Sequence, residues 1–125
     1  MGKGRIAVVE SKRETRESLD LMLQAEGFEV LTAEHNAAVF EKLSSFKPDL
    51  ILTDLLLPLV AGEHFIRALR HLPQLSAIPI LVLTEYSEAF GEHAKAAGAT
   101  AVLRTPRDLR VAIETVKNLL GQQPE

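Results

Sequence analysis

The sequence predicts an α/β domain built on a parallel sheet, and two observations carry that prediction. Short apolar runs alternate with amphipathic segments, so that a strand followed by a helix recurs five times. One of these runs, over residues 49–54, is largely apolar between its two aspartates and ends at the carboxylate of Asp54. Such a run is typical of a strand buried on both faces. Regular alternation indicates right-handed crossovers, with helices on both faces of the sheet.

The first strand and helix are predicted from residue 6 onward. Residues 6–9 are apolar and end at a glutamate. Ser11 and Glu14 have the spacing of a capping box, which predicts the start of a helix. Gly27 is typical of the residue just past a helix end. The apolar positions of this helix recur at helical spacing, at Leu19, Met22 and Leu23.

The second strand is predicted over residues 28–32, where apolar and polar residues alternate weakly. Asn36 is then a candidate cap for the second helix. Pro48 interrupts the chain before the third strand, which continues to Asp54. The apolar positions of the second helix are Val39, Phe40 and Leu43.

Beyond Pro58, residues 61–62 are predicted to end a loop, and the third helix is expected over residues 63–72. Pro73 would stop that helix. Residues 78–83 are uniformly apolar apart from one proline near the start, and they predict a fourth buried strand.

The rest of the chain predicts two helices and one strand. A helix is expected over residues 86–97, closed by Gly98, and a fifth strand over residues 101–103. Asp108 is a candidate cap for the last helix. The buried positions expected in that helix are Leu109, Ile113, Val116 and Leu120.

Length and composition exclude several functional classes. The chain has 125 residues, of which 46% are hydrophobic, enough for the core of one domain. Its net charge of -3 argues against general nucleic-acid binding. The absence of cysteine excludes disulfides and thiolate chemistry, and it fits a cytoplasmic location. No apolar run has the length of a membrane span, and the first residues lack a signal peptide core.

The carboxyl ends of parallel strands meet at one edge of the sheet, where ligands bind in open α/β folds. The predicted strands would bring Glu10, Ser11, Asp54, Thr84 and Thr105 to that edge. Asp54 ends a strand predicted to be buried on both faces, so it is the first residue expected to carry chemistry.

In this order and spacing, these residues resemble the receiver domain of a two-component response regulator, over essentially the whole chain. The motifs that carry the resemblance are residues 8–10, residues 52–58 with Gly62, residues 79–84, residues 97–99 and residues 105–106. The resemblance implies a doubly wound, flavodoxin-like (βα)5 fold with strand order 2-1-3-4-5. We predict one receiver domain over residues 1–121, and a frayed tail or linker start at residues 122–125.

The resemblance also implies roles for individual residues. Asp54 would be the phosphoacceptor, since a carboxylate is a competent nucleophile toward phosphoryl groups. Glu10 and Asp54 would form the acidic pocket for Mg²⁺, with the backbone carbonyl of Leu56 as a further metal contact. Thr84 would hydrogen-bond the phosphoryl group.

Four positions depart from the family pattern. Ser11 stands where the family has its second acid, and a hydroxyl is a poor substitute for a carboxylate toward Mg²⁺. Thr105 stands at the position of the lysine, and Glu85 adds a negative charge after Thr84. Val102 replaces the aromatic switch residue. We therefore expect weakened Mg²⁺ binding, and phosphorylation that is impaired or absent.

Several of these residues also have a simpler interpretation. Ser11 could serve only as the capping serine. Lys12 and Arg13 could be solvated on the first helical turn, or one of them could replace the missing lysine. Arg104, Arg107 and Arg110 form a basic cluster, which is either a partner face or an ordinary charged surface.

The leading hypothesis is a signalling module rather than an enzyme: a receiver domain in a phosphorelay, acting through protein contacts. Its expected partners are a sensor histidine kinase or another signalling protein, and an output domain within a longer protein. No nucleic-acid or membrane contact is expected of this domain. The alternative is a fully phosphorylatable, Mg²⁺-dependent switch.

A flavodoxin-like domain that binds a small ligand is a third hypothesis. It is disfavoured because residues 10–12 contain no glycine, whereas a phosphate-binding loop after the first strand requires a glycine-rich sequence.

Overall fold

A computed structural model describes residues 4–34, 39–54, 59–85, 88–104 and 109–121. Strands and helices alternate along these residues, as the apolar runs and amphipathic segments predict. The elements are β1 (Arg5–Val9), α1 (Arg13–Ala25), β2 (Glu29–Ala33), α2 (Val39–Phe46), β3 (Leu50–Asp54), α3 (Leu59–His71), a short 3-10 helix (Pro73–Leu75), β4 (Ile80–Thr84), α4 (Glu88–Ala97), β5 (Ala101–Arg104) and α5 (Arg110–Gly121).

The five strands form one parallel sheet in the order β2-β1-β3-β4-β5, which confirms the predicted fold. Strand β3 lies between β1 and β4. Its residue Thr53 pairs with Val9 of β1, and its last residue, Asp54, pairs with Leu83 of β4. Thr84 is the next residue of β4. The ends of β1, β3 and β4 are therefore adjacent at one edge of the sheet.

The two faces of the sheet bury separate halves of the core. Side chains alternate along a strand, so Ala7 and Val9 of β1 face one side while Ile6 and Val8 face the other. Helices α2, α3 and α4 cover the first side, and α1 and α5 cover the second. Every residue of β3 and β4 is buried, as expected for strands between two helical layers.

The start of α1 differs from the prediction. The helix begins at Arg13, its N-cap is Lys12, and no side chain caps it. The predicted capping box from Ser11 to Glu14 is therefore wrong. The reason is a tertiary competitor, since the Ser11 hydroxyl donates to Asp54 instead.

The boundaries of other helices and strands also differ from the predicted ones. Residues 61–62, predicted as the end of a loop, lie within α3, which starts at Leu59. Strand β2 starts one residue later than predicted, and β4 starts at Ile80. The candidate caps Asn36 and Asp108, and the predicted tail at residues 122–125, lie outside the described residues.

Val102, at the position of the family's aromatic residue, is partly buried and packs on the side of the sheet covered by α4. Gly91 of α4 faces it closely, because a Cβ placed on Gly91 would lie 3.3 Å from Val102 Cγ1.

Within the described ranges, no helix is long and apolar enough to cross a membrane.

Candidate functional site

Asp54 is buried although it ends a strand at the open edge of the sheet, with 6% of its surface exposed. The residues around it come from the neighbouring strand ends. Glu10 follows β1, and its backbone N–H donates to Ala33 O at 3.0 Å, which extends the β1–β2 ladder by one residue. Glu10 and Thr84 are buried as well. The sheet thus gathers two carboxyl groups and one hydroxyl at one place, as its topology predicts.

Ser11 is bound directly to Asp54. Its backbone N–H donates to Asp54 Oδ2 at 3.1 Å, and its hydroxyl donates to the same oxygen at 2.7 Å. Both distances are normal for hydrogen bonds, and bonds to an ionised acceptor are stronger than neutral ones. Ser11 is therefore part of the site around Asp54 rather than a helix cap.

Glu10 lies beside Asp54 in a region with little solvent. Burial, a hydrogen bond to Asp54 and the charge of Asp54 together raise the pKa of Glu10 from 4.5 to about 8. Backbone N–H groups of Lys12 and Ser11 act in the opposite direction; the Lys12 N–H donates to Glu10 Oε2 at 3.2 Å. Glu10 therefore holds a proton at neutral pH, and the pair carries less than two full negative charges.

Arg16 holds the loop that carries Glu10 and Ser11. Its Nη1 donates to the Glu10 carbonyl at 2.9 Å and lies 3.5 Å from the Ser11 carbonyl. Its Nη2 lies 3.7 Å from Glu34 Oε1, and its side chain is only 16% exposed. The sequence does not identify Arg16 as part of the site, because the periodicity of a helix does not show which loop carbonyls a side chain will reach.

Lys12 and Glu85 form an ion pair between Nζ and Oε1. Lys12 follows Ser11 on the β1 side of the site, and Glu85 follows Thr84 on the β4 side. Both side chains are more than half exposed. Since β3 lies between β1 and β4, this ion pair spans the end of β3, where Asp54 stands. Nothing in the sequence indicates this contact, because the two residues are 73 positions apart.

The structure describes two of the remaining predicted site residues. Arg104 is exposed at the end of β5, and Arg110 is exposed at the start of α5. Leu56, Thr105 and Arg107 lie outside the described residues.

The comparison with known proteins agrees with this arrangement. A model of the response regulator receiver domain family matches residues 6–117. The polar-differentiation response regulator DivK of Brucella anthropi is 28% identical over 101 residues, which cover 80% of this chain and 82% of DivK. The chemotaxis response regulator CheY4 of Vibrio cholerae superposes with a TM-score of 0.83 at 28% identity, covering 92% of this chain and 97% of CheY4.

A longer relative matches only in part. The phosphate regulon transcriptional regulatory protein PhoB of Rhizobium meliloti is 38% identical over 84 residues, which cover 67% of this chain. The matched segment spans 37% of the length of PhoB. The family match, by contrast, extends over nearly the whole sequence and includes Glu10, Asp54 and Thr84. The chain belongs to the response regulator receiver domain family.

Proposed function

We propose that this receiver domain signals mainly through protein contacts and that phosphorylation of Asp54 is impaired. The proposed partners are a sensor histidine kinase or another signalling protein. An output domain in a longer protein is also proposed, since PhoB, a transcriptional regulatory protein, is much longer than the segment that matches this chain.

The contact between Ser11 and Asp54 carries the proposal. Asp54 Oδ2 accepts two hydrogen bonds from Ser11, at 3.1 and 2.7 Å. The lone pairs of an oxygen that accepts two hydrogen bonds are engaged, so that oxygen is less available to attack a phosphorus atom. The resemblance to the family implies a carboxylate at position 11, which would contribute charge for a metal instead of donating hydrogen bonds.

The donor set around Asp54 also fits Mg²⁺ poorly. Mg²⁺ prefers anionic oxygen ligands in a strict geometry. Ser11 offers only a neutral hydroxyl, and one Asp54 oxygen already accepts two hydrogen bonds from Ser11. Among the described residues, no group of three or more histidine, cysteine or acidic side chains is placed to hold a metal.

The lack of positive charge around Asp54 also supports impaired phosphorylation. Phosphoryl transfer depends on positioning and on neutralising the charge of the transferred group. Position 105 is threonine where the family has lysine, and Glu85 adds a negative charge beside Thr84. Each change makes the approach of a negatively charged phosphoryl group to Asp54 less favourable.

The second candidate is a fully phosphorylatable switch. The arrangement of strands favours it to a limited extent, because Thr84 immediately follows Leu83, the residue paired with Asp54. Its hydroxyl therefore belongs to the strand end beside the candidate phosphoacceptor. The two candidates share a fold and differ in whether the site can recruit a divalent cation.

A Mg²⁺ titration followed by amide NMR shifts separates the two candidates. The proposal predicts that the amides of residues 10–12 and 54 do not shift at low millimolar Mg²⁺. Ser11→Asp restores one carboxylate, and we expect that variant to titrate at lower Mg²⁺ concentrations. Saturable shifts around Asp54 in the unmodified protein, equal to those of Ser11→Asp, would support the phosphorylatable switch.

A further inference from the structure

The ion pair between Lys12 and Glu85 indicates a role for both residues at the site around Asp54. We propose that Lys12 is the cation that contacts a phosphoryl group on Asp54, and that Glu85 holds it across the mouth of the site until such a group competes. The inference rests on the proposed function, because it concerns the impaired phosphorylation of Asp54. Glu85 would slow that reaction, and Lys12 would support it.

The order of the strands places Lys12 over the site. Lys12, the N-cap of α1, directly follows Ser11, and its ammonium reaches Glu85 on the far side of β3. Neighbouring strands are ~4.8 Å apart, so the ends of β1 and β4 are separated by roughly 10 Å. The lysine side chain therefore extends from the β1 side toward β4, above the carboxylate that ends the strand between them.

The other cations described at this end of α1 are engaged elsewhere. Arg16 binds the carbonyls of Glu10 and Ser11 beneath the loop. Arg13 pairs with Glu17 on the outer surface of α1, at 2.9 Å. Among these three described residues, Lys12 is the one whose charged group lies on the β4 side of Asp54.

Charge decides which group Lys12 would contact. Glu85 carries one negative charge and is more than half exposed, so solvent weakens its attraction for Lys12. A phosphoryl group carries nearly two negative charges and three acceptor oxygens. It would therefore compete for the ammonium. Glu85 would slow the reaction both by repelling the donor and by holding the neutralising cation.

The covalent step is an ordinary displacement. One carboxylate oxygen of Asp54 attacks the phosphorus of an acyl phosphate and forms a new P–O bond. The P–O bond to the acyl group breaks, and the carboxylate of the donor leaves with the bonding electron pair. No proton or electron is gained or lost, and Lys12 acts only by neutralising charge on the phosphoryl oxygens.

A double-mutant cycle tests the inference. The initial rate of modification by acetyl phosphate is measured by intact mass at fixed, excess Mg²⁺, for the unmodified protein, Glu85→Gln, Lys12→Met and the double variant. We expect Glu85→Gln to raise the rate roughly fivefold. The double variant should lose most of that gain and keep only the part that comes from relieved repulsion, whereas Lys12→Arg in the Glu85→Gln background should keep most of it.

The matched control is Glu29→Gln. It removes the same charge from an exposed ion pair with Arg5, at the opposite edge of the sheet. We expect no change in rate. Unfolding free energies of all variants are measured in parallel, so that an effect on folding is recognised.

Two results would overturn the inference. If the gain from Glu85→Gln is equally large with Met at position 12, Glu85 acts by repulsion alone. If Glu85→Gln reacts no faster than the unmodified protein, Glu85 does not restrain the site. Failure of the proposed function looks different, because the unmodified protein would then react rapidly and to completion, whatever the dependence on Lys12.

Discussion

The hydroxyl of Ser11 donates a hydrogen bond of 2.7 Å to Asp54 Oδ2, across 43 positions of sequence. The backbone N–H of the same serine donates to the same oxygen at 3.1 Å. The loop after β1 is thereby fastened to the end of β3 through the candidate phosphoacceptor itself. The position of the loop therefore depends on the hydrogen bonds that Asp54 accepts from Ser11.

Replacing Ser11 with alanine should lower the free energy of unfolding by about 1–2 kcal/mol, because it removes a hydrogen bond to a charged acceptor. Urea unfolding at pH 7 measures this change. Ser76→Ala is the matched control, since the Ser76 hydroxyl binds only a nearby exposed carbonyl, at 3.0 Å. Equal effects of the two substitutions would show that the Ser11–Asp54 bond contributes nothing specific.

The raised pKa of Glu10 predicts a dependence of stability on pH. The folded protein keeps a proton on Glu10 up to a pKa of about 8, whereas the unfolded chain loses it near 4.5. Between these values the folded state binds more protons, so the free energy of unfolding falls as pH rises. Above about 8 this contribution is constant. The loss amounts to a few kcal/mol at most.

Glu10→Gln tests the assignment, because glutamine cannot lose a proton. In metal-free buffer, its stability relative to the unmodified protein should increase from pH 5 to about pH 8 and then level off. Urea unfolding at several pH values measures the difference. Parallel curves for the two proteins would show that Glu10 does not titrate abnormally.

Arg16→Met should loosen the loop that carries Glu10 and Ser11, since it removes hydrogen bonds to both carbonyls. We expect a loss of about 1–2 kcal/mol in unfolding free energy and faster amide hydrogen exchange at Ser11 and Lys12. Arg13→Met, on the same helix, removes only an exposed pair with Glu17 and should change stability by less than ~0.5 kcal/mol. Similar exchange rates in the two variants would contradict this role.

Arg70 should be a major source of stability away from the site. It donates to the carbonyls of Gly98 at 2.9 Å, Leu75 at 3.0 Å and Ile78 at 2.6 Å, and thereby joins α3 to the turns on either side of β4 and α4. We expect Arg70→Met to cost at least ~2 kcal/mol by leaving these carbonyls without donors. Exposed Arg67 of the same helix is the control; an equal loss in Arg67→Met would contradict the assignment.

The fold was predictable because its signals are local. The largely apolar residues of β3 and β4, bounded by polar residues and proline, identify buried parallel strands without knowledge of their partners. Once the sheet is parallel, the topology places Asp54 and Thr84 at one edge. The position of the candidate phosphoacceptor therefore follows from pattern and chain order alone.

The contacts within the site were not predictable in the same way. Ser11 has the spacing of a helix cap, and sequence spacing cannot show that a carboxylate 43 positions away competes for its hydroxyl. Lys12 and Glu85 are 73 positions apart, and their ion pair depends on the order of the strands between them. The contacts of Arg16 and Arg70 with backbone carbonyls likewise require the folded chain.

The most direct test of impaired phosphorylation is a beryllofluoride titration with Mg²⁺, in which binding at Asp54 is measured by NMR. The unmodified protein should show no saturable binding, and the Ser11→Asp, Thr105→Lys double variant should bind stoichiometrically, because it regains a carboxylate and the fixed positive charge. Stoichiometric binding by the unmodified protein, as tight as that of the double variant, would contradict the account.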